Sequence, residues 1–144
     1  MTVYLESSAV LAWLLDEADA PRILSALGAS GDVVASVLTV LECDRALVRA
    51  AVTGRVLEAD AERRRSELGA VARRWNVSNV TPEQVDRARR PFPKEPIRTL
   101  DALHLAAALQ FQRELGDVAV LALDERVRSN ARALGLPVLP ADSA

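Results

Sequence analysis

Val118-Ala-Val-Leu-Ala-Leu-Asp124-Glu-Arg-Val-Arg-Ser-Asn-Ala-Arg-Ala-Leu-Gly135-Leu-Pro-Val-Leu139 is the stretch that decides the fold class. Val118–Leu123 is apolar without alternation and too short for a helix, the mark of a strand buried on both faces. Glu125–Leu134 then carries helical spacing, and Gly135 suits the left-handed residue that closes a helix. Val138-Leu139 resumes as a last short strand. Strand, helix and strand in so few residues favour a parallel crossover, and parallel sheets need helices on both faces. The expected fold is α/β, a three-layer α/β/α sandwich around a parallel sheet of about four to five short strands.

The same alternation runs through the preceding residues. Val3-Tyr4-Leu5 is a short strand ending at Glu6, and Ser7-Ser8 offers an N-cap for a helix through Leu15. Asp19-Ala-Pro21 begins a second helix that Gly28 closes, and Asp32–Ser36 is the second strand. Val37–Val52 is helical, with Leu38, Leu41, Ala46 and Val48 as its apolar positions. Gly54 separates it from a long Arg-rich helix over Val56–Trp75. Together they read as a helical hairpin excursion at about 37–75 in a single domain, 1–144. Asn76–Val80 is a weak third strand. Thr81-Pro82-Glu83-Gln84 combines an N-cap, a proline at N1 and a capping partner at N3, so a helix starts there. Pro91-Phe-Pro93-Lys-Glu-Pro96 is a loop, because three prolines in six residues break any helix. Thr99–Leu115, rich in Ala and Leu, is the strongest helix, and Gly116 ends it.

Composition narrows the function classes. The 144 residues are 50% hydrophobic and 26% charged, a core-forming balance. One Cys and one His exclude a disulfide framework and a Cys/His zinc site. No apolar run is long enough to span a bilayer, and Met1–Glu6 lacks the basic region of a signal peptide, so a cytoplasmic location is expected. Aromatics are only 3%, too few for a base-stacking platform. Net charge is −2, and all cations but Lys94 are Arg, the better bidentate partner for phosphate.

In an open parallel sheet, ligands bind beyond the carboxyl ends of the strands. Glu6 follows the first strand and Asp124 the fourth. Glu42 and Asp101 interrupt apolar stretches of their helices, where a carboxylate is costly to bury unless paired or bound to a cation. Four such acids meeting at one edge would form an oxygen-ligand site for Mg²⁺ or Mn²⁺. Each also has a local explanation. Asp101 suits the first turn of a helix, Asp124 an N-cap, Glu6 an ordinary strand end, and Glu42 a pair with Arg45 or Arg49.

The set as a whole resembles the PIN-domain family, in its VapC-type toxin branch. Tyr-Leu-Glu6-Ser-Ser-Ala, Thr-Val-Leu-Glu42, Arg98-Thr-Leu-Asp101-Ala-Leu-His-Leu-Ala-Ala-Ala and Leu-Ala-Leu-Asp124-Glu-Arg carry the likeness, in order and spacing over essentially the whole chain. The resemblance implies a metal-dependent endoribonuclease, the toxin half of a toxin–antitoxin pair. It also implies a homodimer and an antitoxin whose C-terminal arm covers the active site. The family's four acids fall on Glu6, Glu42, Asp101 and Asp124, the expected catalytic residues and ligands of Mg²⁺ or Mn²⁺. Ser8 falls beside the first acid, in a supporting role. This sequence has Glu6 where the family normally has Asp, and Ala122 where relatives commonly carry Thr. The longer Glu6 side chain, by about 1.5 Å, implies weaker metal binding or slower turnover. The alternative it leaves open is a binding module that holds RNA or antitoxin without cutting.

Arg87, Arg89, Arg90, Lys94 and Arg98 flank the proline loop. Arg98, Lys94 and Arg90 are the candidates for RNA-phosphate contact. Arg63-Arg64-Arg65 is expected to be a solvated helix face, given its interleaved acids. Cys43 is expected in the core, and His104 is expected as a packed helix histidine rather than a base. A receiver-type phosphoacceptor would need a Lys after a late strand, and no phosphate-binding glycine motif is present.

Overall fold

The computed structural model describes residues 1–142. In chain order it contains β1 (Thr2–Leu5), α1 (Ser7–Leu14), α2 (Ala20–Ala29), β2 (Val33–Ser36), α3 (Val37–Val52) and α4 (Glu58–Ala72). There follow β3 (Asn76–Ser78), α5 (Pro82–Ala88), α6 (Thr99–Leu115), β4 (Val118–Leu121), α7 (Glu125–Ala133) and β5 (Val138–Leu139). The strands form one sheet in the order β3-β2-β1-β4-β5, and every neighbouring pair is parallel.

Strand parity assigns the layers. Val3 and Leu5 of β1 face one side, with α1, α2, α3 and α4. Tyr4 faces the other, with α6 and α7. The first core gathers Val10, Ile23, Cys43, Leu47 and Leu68, and the second gathers Leu105, Phe111, Val120 and Leu136, all essentially inaccessible. The three-layer sandwich is therefore present, with five strands.

The order of strands also fixes where a ligand can reach. From β1 the chain builds outward to β2 and β3, then returns past β1 to add β4 and β5 on its other side. The reversal opens a crevice at the carboxyl ends of β1 and β4, the place where such folds bind ligands. Glu6 follows β1 directly, and Asp124 lies three residues beyond β4.

Several local expectations shift. The cap of α1 is Glu6, whose carboxylate accepts from the Ser8 amide. Ser7 and Ser8 are the first residues of the helix. Gly28 lies within α2, whose C-cap is Ser30. The buried stripe of α3 is Thr39, Cys43, Leu47 and Ala50, whereas Leu41 is 53% exposed. The α3–α4 pair contributes Cys43, Leu47 and Leu68 to the core that also holds Val3 and Leu5 of β1. Gly54, Gly116 and Gly135 do take positive φ at the ends of their helices.

Candidate active site

Each of the four acids is held by its own stretch of backbone. Glu6 extends from the end of β1 and caps α1. Its Oε2 accepts from the Ser8 amide at 3.0 Å and from the Ser8 hydroxyl. Asp124 caps α7, its Oδ1 accepting from the amides of Arg126 (2.9 Å) and Val127 (3.2 Å). Asp101 sits in the first turn of α6, where its Oδ2 accepts from the Arg98 amide at 3.1 Å. Glu42 projects from α3, and its Oε1 accepts from the Ser7 hydroxyl at 2.8 Å and from His104 Nε2. In every case one carboxylate oxygen carries the anchoring bonds. Glu6 Oε1, Glu42 Oε2 and Asp101 Oδ1 make no hydrogen bond among the described residues, and Asp124 Oδ2 meets only Arg98.

Two connections draw the acids into one neighbourhood. Arg98 spans Asp101 and Asp124, its Nε 3.4 Å from Asp101 Oδ2 and its guanidinium 3.4 Å from Asp124 Oδ2. Ser8 joins the other pair of segments. Its hydroxyl donates to Glu6 and accepts from the amides of Leu123 (2.8 Å) and Asp124 (3.0 Å). The Ser8 oxygen thus ties the exit of β1 to the exit of β4. The local roles of Asp101 as a first-turn acid and of Asp124 as an N-cap are present as well.

The electrostatics are uneven. Glu6 is 5% exposed and has no ion-pair partner among the described residues. Burial pushes its carboxyl above the usual range, against the lowering influence of the Ser8 hydrogen bonds. For Glu42, burial acts upward too. The hydrogen bonds from His104 and Ser7 outweigh it and hold the carboxyl below its ordinary value. Arg45 and Arg49, the partners expected for Glu42, form no ion pair with it.

A hard divalent cation suits this donor set. The donors are all carboxylate oxygens, each acid is braced through one oxygen, and the most buried of them lacks a counter-charge. The acids are not drawn into a ready-made cage, however. Among the described residues no three His, Cys, Asp or Glu side chains are grouped tightly enough to hold a metal. Arg98 supplies the positive charge between Asp101 and Asp124, and Glu42 is turned onto His104.

The basic candidates divide. Arg98 lies against the acids although its side chain is 67% exposed. Lys94 and Arg90 are exposed on the proline loop. That loop is fixed from behind: the buried Asn130 amide accepts from Lys94 N at 2.9 Å and donates to Lys94 O at 3.0 Å, and Phe92 is buried. Arg63, Arg64 and Arg65 are engaged by Asp60, Glu67, Asp16, Glu62 and Asp44, which makes them an ion-paired helix face. Cys43 is buried, and its thiol is pushed up by burial beyond the range of a reactive thiol.

Sequence reasoning missed Ser7, Tyr4 and Asn130, and it took His104 as packing alone. The available signal was spacing: His104 is one turn beyond Asp101, and Tyr4 is two residues before Glu6 on the same side of β1. Beside Glu42 lies a cleft of about 430 Å³, lined by Leu11, Leu38, Leu41, Arg45, Arg49 and Leu100.

Residues 3–133 match the PIN domain. The chain belongs to the PIN-domain family. This PIN domain is 30% identical over 137 residues to Ribonuclease VapC46 of Mycobacterium tuberculosis, with 95% of each chain covered, which places it in the VapC branch. Its fold is shared with Mycobacterium tuberculosis VapC20, described as a sarcin-ricin loop cleaving toxin. There the TM-score is 0.67 at 16% identity, over 88% of this chain and 93% of that one. It is also shared with a toxin–antitoxin complex from Klebsiella pneumoniae, with a TM-score of 0.65 at 16% identity, over 98% and 99%. A binding module without cleavage finds no support in these likenesses. No helix among the described residues is long and apolar enough to cross a membrane.

Proposed function

We propose that this PIN domain is a Mg²⁺- or Mn²⁺-dependent endoribonuclease, the toxin of a toxin–antitoxin pair acting on RNA in the cytoplasm. The observation that carries the proposal is the arrangement of four carboxylates from four chain segments around the crevice between β1 and β4. In this proposal Glu6, Glu42, Asp101 and Asp124 hold the cation. When bound, the cation supplies Lewis acidity toward water and toward the scissile phosphodiester. Ser8 keeps Glu6 and Asp124 in mutual register. With a cation balancing Asp101 and Asp124, Arg98 would be available to the RNA backbone, and Lys94 and Arg90 would extend that contact along the loop. The loop's attachment to Asn130 keeps these charges at a fixed distance from the acids.

The partner proposed is an antitoxin. The Klebsiella pneumoniae relative is itself a toxin–antitoxin complex. The cleft beside Glu42, with an apolar wall and two arginines that have no ion-pair partner among the described residues, suits a segment that presents apolar and acidic side chains over the site. A homodimer is proposed with it.

The experiment is cleavage of a mixed cellular RNA pool with Mg²⁺, Mn²⁺ or EDTA, beside Asp101→Ala. Metal-dependent cuts that vanish in EDTA and in the variant are expected. Cuts that persist in both would remove the acid site from the reaction.

A further inference from the structure

His104 is 1% exposed and engaged on both ring nitrogens. Tyr4 Oη lies 2.7 Å from Nδ1, with the two rings edge to face at 5.9 Å. Nε2 meets Glu42 Oε1, and Ser7 Oγ lies 3.2 Å from the same nitrogen. The partners dictate the tautomer. An ionised carboxylate only accepts, so Nε2 carries the hydrogen and donates to Glu42. Nδ1 is then a bare acceptor, which the Tyr4 hydroxyl fills. The phenol O–H is a donor, and 2.7 Å is an ordinary length for its bond to a bare ring nitrogen. The Ser7 hydroxyl hydrogen is committed to Glu42 Oε1, and its oxygen faces Nε2–H as a second acceptor.

This arrangement leaves the imidazole no lone pair for a substrate or a water. It does give Glu42 a fixed orientation. Glu42 stands on α3, across the sheet end from α6, and its side chain has three rotatable bonds. Both bonds that restrain it, from His104 and from Ser7, converge on Oε1, so Oε2 is the oxygen left for a ligand.

We propose that His104 is a positioning residue: locked by Tyr4 as the Nε2–H tautomer, it pins Oε1 of Glu42 and presents Oε2 as the cation-binding oxygen. This rests on Glu42 being a ligand, as proposed above. Partners of this kind set the orientation of metal-binding carboxylates, and losing one typically weakens metal affinity about 10–100-fold.

The test is Mn²⁺ affinity of the full chain without RNA, read from free Mn²⁺ by electron paramagnetic resonance, with melting temperature recorded alongside. His104→Leu should weaken binding about 10–100-fold. His104→Gln should recover most of the loss, because its amide nitrogen lies as many bonds from Cα as Nε2 does. Tyr4→Phe frees Nδ1 to take the hydrogen and should weaken binding by less than His104→Leu. The deciding comparison is the double variant His104→Leu/Glu42→Gln, which should bind no more weakly than Glu42→Gln alone. Binding in His104→Leu within about twofold of the parent, with Glu42→Gln impaired, would overturn the positioning role alone. So would losses that multiply in the double variant, the mark of a general structural effect. Unchanged binding in Glu42→Gln would instead remove Glu42 from the ligand set, and the proposal with it. Should His104→Leu fail to fold, the Gln and Phe variants carry the same comparison.

Discussion

Replacing Ser8 by Ala removes one oxygen atom from the joint between the ends of β1 and β4. That oxygen donates to Glu6 and accepts from the amides of Leu123 and Asp124 at 2.8 and 3.0 Å. At about 0.5–1.5 kcal/mol net per bond, three bonds are worth about 1.5–4.5 kcal/mol. Ser8 is only half-buried, so water can reach part of what is left unpaired, and about 2–3 kcal/mol is the expected cost. In a chain of this length that corresponds to a fall in melting temperature of roughly 6–12 °C. Urea unfolding in EDTA measures the stability without any contribution from bound cation, and a parallel Mn²⁺ titration measures the site. Ser8→Thr retains the oxygen and should keep most of both. A cost of about 0.5 kcal/mol or less, the scale of an ordinary surface change, would refute the joint. So would a Thr variant as damaged as Ala.

Burial raises the Glu6 carboxyl in the folded protein, so the folded chain keeps that proton to higher pH than the unfolded chain. The associated stability is present below the unfolded value and is lost as pH rises through the folded one. Glu6→Gln should therefore melt higher than the parent at neutral pH in EDTA, with a flatter decline from acid to neutral pH, and a lower melting temperature there would contradict this. Arg98→Ala should bind Mn²⁺ about 2–5-fold more tightly, because its weak ion pairs with Asp101 and Asp124 no longer compete with the cation. The same variant should bind RNA more weakly, with a salt slope reduced by about one; unchanged Mn²⁺ and RNA affinities would refute both roles. Asn130→Ala leaves Lys94 N and O and the Arg126 carbonyl without their buried partner. It should cost about 2–4 kcal/mol and expose the proline loop to protease, and a loop as resistant as the parent's would contradict the pinning.

Much of the fold was legible because its signals are local. The glycines at 54, 116 and 135, the Thr81-Pro82 helix start and the apolar run at Val118 each report on their own few residues. The cap of α1 was misplaced because Ser is the commoner cap, whereas Glu6 reaches back to the Ser8 amide with its longer side chain. The buried face of α3 was misjudged for a different reason. Leu38 and Leu41 look like core residues, but the sheet covers the Thr39–Cys43–Leu47 stripe, a tertiary choice that periodicity alone could not make. Among the candidate site residues, Glu6 and Asp124 stood out by their places after strands, Glu42 and Asp101 as carboxylates in apolar stretches, and the four as a set through the resemblance to the PIN-domain family. What joins them did not. The contact of His104 with Glu42 spans 62 positions and that of Ser8 with Asp124 spans 116, so neither leaves a trace in local spacing. Arg98 was taken as a phosphate contact because charge pattern cannot show which carboxylates it first meets.

The central claim is that the four acids at the β1–β4 crevice bind a divalent cation, and crystals grown or soaked with Mn²⁺ test it most directly through anomalous scattering. A Mn²⁺ peak is expected within coordinating distance of Glu6, Glu42, Asp101 and Asp124, directly or through water. The Arg98 guanidinium is expected to have withdrawn from Asp101 and Asp124, with His104 still holding Oε1 of Glu42. A peak elsewhere, or none at saturating Mn²⁺ with Arg98 still spanning the two aspartates, would contradict the claim.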